Sequence, residues 1–201
     1  MMKLIYSGTS PFVRKVSVLL LETGLDGRVE RETVAITPMK PGDVVPAANP
    51  LGKVPCLITD DGTAIFDSRV ITRYLDSLHE GAKLYPEGEA LWPVLTLEAV
   101  ADGMTEAAVL MIYERLLRTE AQKSPEWVEA QWLKISRALV HLEANVAALE
   151  PMNMASIAVG AVLGYLDFRF DDRQWRKLAP KLAEWEAAFA KRPSMQATQP
   201  G

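Results

Sequence analysis

The chain reads as an α/β domain over residues 1–80 followed by an all-α domain over residues 90–201. Three observations predict this division. Pro38, Pro41, Pro46, Pro50 and Pro55 crowd into eighteen residues, whereas residues 90–150 hold only Pro93 and Pro125. All five tryptophans follow residue 90. Between the two regions, HEGAKLYPEGE has the glycine, proline and charge content of a linker.

In the first domain KLIYS, residues 3–7, is a short strand closed by Gly8. Pro11 then opens a helix, because the first helical turn does not need the N–H that proline lacks. Ser10 is the expected N-cap and Gly24 the expected stop. Residues 29–34 alternate apolar and polar as a strand does. The proline-rich stretch is expected to be loop. Residues 56–59 and 64–66 read as two strands joined by Asp60-Asp61-Gly62, a hairpin turn signal. A helix from Ser68 places Ile71, Tyr74, Leu75 and Leu78 on one face.

The second domain has only helical periodicity. A helix from about residue 89 to 117 carries a stripe of Leu97, Ala101, Met104, Ala108 and Met111. Ser124-Pro125 starts another, with a seam of Val128, Trp132, Ile135, Leu139, Leu142, Val146 and Leu149, and Pro151 is expected to end it. Residues 154–168 are apolar nearly all round, the pattern of a central, buried helix. Leu178, Leu182, Trp185 and Phe189 mark a last helix stopped by Pro193.

Composition narrows the function. In 201 residues, 49% are hydrophobic and 24% charged, enough apolar material for a buried core. Twenty-two Lys and Arg against 26 Asp and Glu leave a net charge of −4, without the basic excess of a protein that tracks nucleic-acid backbones. The apolar run over residues 155–166 ends at Asp167 and is too short to span a bilayer. MMKLIYSGTS lacks the apolar core of a secretory signal. A single cysteine, Cys56, excludes an internal disulfide and any CxxC motif. His79 and His141 have no metal-ligand spacing. The expectation is a soluble, cytoplasmic protein with no metal and with neither nucleic acid nor membrane as partner.

TSPFVRKV after the first strand, NPLGKVP before the hairpin, FDS at the next helix and NMASIAVGAVLGYLDFR in the buried helix resemble the glutathione S-transferase family, bacterial members above all. The resemblance runs from Lys3 to about Pro193. It implies a thioredoxin-like N-terminal domain, an all-helical C-terminal domain, a homodimer, and glutathione as co-substrate in conjugation to a hydrophobic electrophile, a detoxifying reaction.

The residues can carry that chemistry. A free thiol has a pKa of about 8.5, and lowering it by about two units requires roughly 2.7 kcal/mol of preferential thiolate stabilisation. A hydroxyl donor beside a helix N-terminus supplies much of this. Ser10 sits at such a start, able to accept a backbone N–H from Phe12 or Val13 while donating to sulfur. An ordinary Ser-Pro helix start has the same sequence, and the resemblance decides for catalysis. Thr9 is the second candidate for the activating hydroxyl, and Ser7 a further rival. By the same resemblance Pro55 is cis, Val54 pairs through its N–H and C=O with the cysteinyl backbone of glutathione, and Lys53 meets the glycine carboxylate.

At Asp67-Ser68 the N–H and hydroxyl of Ser68 suit the γ-glutamyl carboxylate and Asp67 its ammonium, although both residue types are also common caps. Asn153 and Ser156 stand where the family has a Ser/Thr-x-x-Asp box and are read as a cap without the carboxylate. Cys56 reads as a small buried side chain, Tyr6 as core away from the loop hydroxyls, and the histidines as structural or exposed. The electrophile would sit between the domains against Met104, Ala108, Met111 and Ile112, a stripe that is equally compatible with plain core. A non-catalytic binding protein of the stringent starvation type is the alternative. A thiol–disulfide enzyme is disfavoured, because serine stands where its nucleophilic cysteine belongs.

Overall fold

The computed structural model describes residues 1–200, which form two compact units. One is Met1–Tyr85 together with the chain from Pro193 onward; the other is Pro86–Arg192.

The first unit contains β1 (Met2–Tyr6), α1 (Pro11–Glu22), β2 (Val29–Thr33), α2 (Val44–Ala48), β3 (Cys56–Ile58), β4 (Ala64–Ile65) and α3 (Ser68–Asp76). The sheet order is β2-β1-β3-β4, the arrangement expected of a thioredoxin-like domain. β2 runs parallel to β1, while β3 is antiparallel to both β1 and β4. Successive strand residues face opposite sides, so Ile5 packs with Val45 and Cys56, joined by Val34, Ile36, Val54 and Phe66. The alternate residues Met2 and Leu4, both buried, face the other way. The Asp-Asp-Gly hairpin forms as read: Gly62 has φ +87° and its N–H donates to Thr59 O at 3.0 Å. Asp76 fixes the chain leaving α3, accepting from Leu84 N at 2.9 Å and Tyr85 N at 3.2 Å and bonding His79 Nε2 at 3.0 Å.

The second unit consists of α4 (Leu91–Leu117), α5 (Pro125–Ala144), α6 (Met154–Phe170) and α7 (Pro180–Phe189), with short 3-10 turns between them. α4 packs along both α5 and α6. Residues 154–163 of α6 are all buried, which is why its sequence is apolar on every side. No helix among the described residues is long and apolar enough to cross a membrane.

Several local expectations are corrected. The proline-rich stretch is not all loop: it contains α2, with Pro46 inside its first turn, where no donor is required. α5 ends at Ala144 rather than near Pro151, because Asn145 caps it, its side-chain amide donating to His141 O at 2.8 Å. Leu178 precedes α7 and is exposed, while Trp175, which the periodicity passes over, is buried and donates to Asp167 Oδ1 at 2.7 Å. Pro193 does stop α7, but it also opens α8 (Pro193–Ala197), which packs on α1. Arg14 Nη2 donates to Met195 O at 3.2 Å, so the end of the chain belongs to the first unit and not to the helical one.

Candidate functional site

Strand pairing gathers the candidate residues of the first unit at one end of its sheet. Ile5, near the end of β1, pairs with Cys56, the first residue of β3. The loop leading to Ser10 therefore adjoins the Lys53-Val54-Pro55 segment that enters β3. β4 runs antiparallel to β3 with Ile65 opposite Leu57, which returns the chain to the same end just before Asp67 and Ser68. Three segments far apart in sequence meet there.

Ser10 caps α1. Its backbone is extended, with φ −83° and ψ 121°, and its Oγ accepts the Val13 N–H at 3.4 Å. Pro11 occupies the first helical position, so Phe12 and Val13 supply the first N–H groups of the helix. Thr9 is exposed in the turn before the cap.

The Val54–Pro55 peptide is cis. Among the described residues, no backbone hydrogen bond involves Val54, leaving its N–H and C=O for an extended partner. Lys53 is exposed. Its carbonyl is engaged by Asn49, whose Nδ2 donates to Lys53 O at 2.8 Å while its Oδ1 accepts from Leu51 N at 3.0 Å. Asn49, only 3% exposed, thus braces the whole NPLGKVP loop. The sequence reading passed over it, although an Asn two residues ahead of a Leu-Gly turn is a legible Asx-turn signal. Gly52 completes the bend at φ +63°, where an added Cβ would meet Pro41 Cβ at 3.2 Å.

Asp67 is the N-cap of α3, accepting from Arg69 N at 2.9 Å and standing 3.6 Å from Arg69 Nε. Ser68 is buried and its Oγ donates to Asp67 Oδ1 at 3.4 Å. Partial burial raises the Asp67 carboxyl pKa, but the Arg69 N–H, the Arg69 guanidinium, the Lys15 ammonium and the Ser68 hydroxyl outweigh it and hold the group below the ordinary carboxylate range. An ionised carboxylate beside the N–H groups of a helix start suits a zwitterionic end group.

The other candidates fall elsewhere. Cys56 is buried, contacts Ala48 O through Sγ at 3.6 Å, and has its thiol pKa pushed up by burial. Tyr6 departs from expectation: it is only half-buried, and an added Cβ on Gly8 would lie 3.3 Å from its hydroxyl, so its ring points along the loop rather than into the core. Met104, Ala108, Met111 and Ile112 form a stripe on α4 and are all buried. Asn153 and Ser156 make the reciprocal cap of α6: Ser156 N donates to Asn153 Oδ1 at 3.3 Å and Asn153 N to Ser156 Oγ at 3.0 Å.

Residues 9–78 match the family model described as glutathione S-transferase, N-terminal domain. The chain is 36% identical to the uncharacterized GST-like protein YibF of Escherichia coli K12, covering 99% of this chain and 98% of that one. A glutathione transferase family member from Pseudomonas fluorescens Pf-5, solved with bound glutathione, is 45% identical with full coverage of both chains and a TM-score of 0.98. The same target with bound S-(propanoic acid)-glutathione is 44% identical, again over both whole chains, at a TM-score of 0.94. A glutathione S-transferase from Methylobacillus flagellatus KT with glutathione bound is 37% identical over the full length of both, at 0.89.

Proposed function

Because the chain belongs to the glutathione S-transferase family, we propose that it binds glutathione at the sheet end just described and transfers its sulfur to a hydrophobic electrophile. The observation that carries this reading is the convergence of the Ser10 cap, the unpaired Val54 backbone and the Asp67-Ser68 helix start at one place. A non-binding scaffold has no need of all three.

In the proposed reaction Val54 pairs with the cysteinyl backbone and Lys53 with the glycine carboxylate. Asp67 and Ser68 hold the γ-glutamyl end. Ser10 already accepts from Val13, which leaves its O–H free to donate to the sulfur. The thiol proton leaves to solvent, the thiolate attacks an electrophilic carbon to form a C–S bond, and that carbon either expels a leaving group or, in an activated alkene, passes its electron pair to a neighbouring atom that takes up a proton. The propanoic-acid adduct held by the Pseudomonas relative is a glutathione bearing such a carbon substituent on sulfur. The electrophile is placed against the α4 stripe of Met104, Ala108, Met111 and Ile112, which is buried and must become accessible for a substrate to reach it.

Calorimetry and thiol titration test the two halves separately. Glutathione should bind the wild type, and Asp67→Ala and Ser68→Ala should each weaken it by about 1.5–3 kcal/mol, the magnitude of a charge-assisted hydrogen bond. Equal affinity in all three proteins would reject the assignment. Ser10→Ala should retain most of the affinity but raise the pKa of bound thiol by about one to two units, seen as loss of thiolate absorbance against pH. An unchanged thiol pKa would remove Ser10 from the role, and a rise in Thr9→Ala instead would transfer it to Thr9. Glutathione binding with no depression of the thiol pKa in the wild type would favour a binding protein over a transferase.

A further inference from the structure

The α4 stripe against which the electrophile is placed leaves the core at its C-terminal end. Met111 and Ile112 are buried, whereas Tyr113 is half-buried and Arg115, one turn past Met111, is exposed. α6 packs along α4 and ends at the same level. Its Tyr165 stands beside Tyr113 and Arg115 of α4, and beside Arg169 one turn on along its own helix. Phe168 is exposed next to them, with the Arg169 guanidinium 4.0 Å from its ring centroid. Two guanidiniums, two phenols and an aromatic ring, all from the second unit, thus gather where the apolar stripe meets solvent.

The charge there is one-sided. Among the described residues neither Arg115 nor Arg169 has a carboxylate partner. The acids beside them in sequence are engaged elsewhere. Glu114 accepts from Ser124 N at 2.9 Å and stands 3.6 Å from Arg118 Nε. Asp167 accepts from Trp175 Nε1 at 2.7 Å and from Arg176 Nη2 at 2.8 Å. Nε alone among the Arg169 nitrogens is sealed without an acceptor, so the guanidinium is held by its inner edge and offers the terminal nitrogens of a fork matched to a carboxylate. Burial raises the Tyr165 phenol above its usual range in spite of the two guanidiniums, which keeps it an O–H donor at neutral pH and brings no competing negative charge. Arg115 and Arg169 also lie in the last turns of their helices, where a cation complements the helix dipole. That role requires charge alone, and lysine would fill it equally well.

Resting on the conjugation reading above, we infer that the electrophile is an organic acid: an aromatic body lies along the stripe and Phe168, and Arg169 and Arg115 receive its carboxylate with the Tyr113 and Tyr165 hydroxyls as further donors. An uncharged electrophile of the same shape leaves both guanidiniums unpaired and is the poorer substrate.

Two pairs of compounds separate the site from the reaction. Dinitrobenzoate, with both nitro groups meta to the carboxylate, and its uncharged amide have no leaving group and report binding alone, by calorimetry on the full chain with glutathione present. The same acid and amide carrying chlorine between the nitro groups report conjugation, in which the glutathione sulfur displaces chloride; each kcat/KM is divided by its uncatalysed rate constant. The acid should bind about tenfold more tightly than the amide and show a similar preference in turnover. Arg169→Lys keeps the charge that a helix end uses but not the fork, so it should abolish most of that preference while the urea midpoint stays near wild type. Arg115→Gln, at an exposed position, should lower the preference by about threefold, and it decides the matter if Arg169→Lys does not fold. Equal affinity for acid and amide, or a preference left intact by the variants, would overturn the inference. Conjugation of acid and amide with equal enhancement would also overturn it and leave the transferase reading standing. Arginine-dependent binding of the acid without conjugation of either compound would reject the transferase reading and leave the acid site in place.

Discussion

Asp67 shows how one side chain serves fold and ligand together. It is the cap of α3, the partner of the Ser68 hydroxyl and a carboxylate kept ionised by Arg69 and Lys15. A carboxyl whose pKa is lowered on folding stabilises the protein above its unfolded pKa, about 3.9, and loses that contribution as pH falls through the folded value. The stability gap between wild type and Asp67→Asn should therefore be constant at neutral pH and close below about pH 4, as urea unfolding at several pH values would show. Lys15→Met should raise the acid limb, since one of the charges holding the carboxylate is lost. An identical pH profile in both proteins would remove Lys15 from that role.

At the scale of elements, two asparagines set the position of backbone. Asn153 satisfies the Ala155 and Ser156 N–H groups at the start of α6, whose interior is almost wholly buried. Asn153→Ala should cost about 1 kcal/mol, read from the urea midpoint, and Asn153→Asp or →Ser should restore most of it. Asn49 is the second. Asn49→Ala removes two hydrogen bonds from the loop that presents Val54, so it should lose about 1–3 kcal/mol of stability and weaken glutathione as the loop loosens. Stability lost with glutathione affinity unchanged would mean that the loop keeps its course without the brace. The Asn153–Ser156 cap was legible because it is contained in four consecutive residues. The Asn49 brace was harder to see, since its function depends on where the carbonyl of Lys53 comes to lie.

For the whole molecule, the expectation of a homodimer is a proposal from the family. Sedimentation should give about twice the 22.2 kDa chain mass at micromolar concentration, and a single 22 kDa species would reject it.

The sequence by itself determined the four strands and the helices α1, α3, α4, α5, α6 and α7 in their order, the Ser10-Pro11 helix start, the Asp-Asp-Gly hairpin, the buried character of α6 and three of the four segments that carry the family resemblance, those at the glutathione-site end. Each is a local signal: a cap, a turn or a periodicity fits within one or two turns of chain, and its physics is complete there. Tertiary structure decided what depends on partners distant in sequence. It placed α2 in a stretch of prolines, turned Tyr6 along its loop, set Asn49 under Lys53 and brought α8 back onto α1. The return of α8 rests on Arg14 meeting a carbonyl 181 residues away, a contact that no periodicity or cap near either residue encodes.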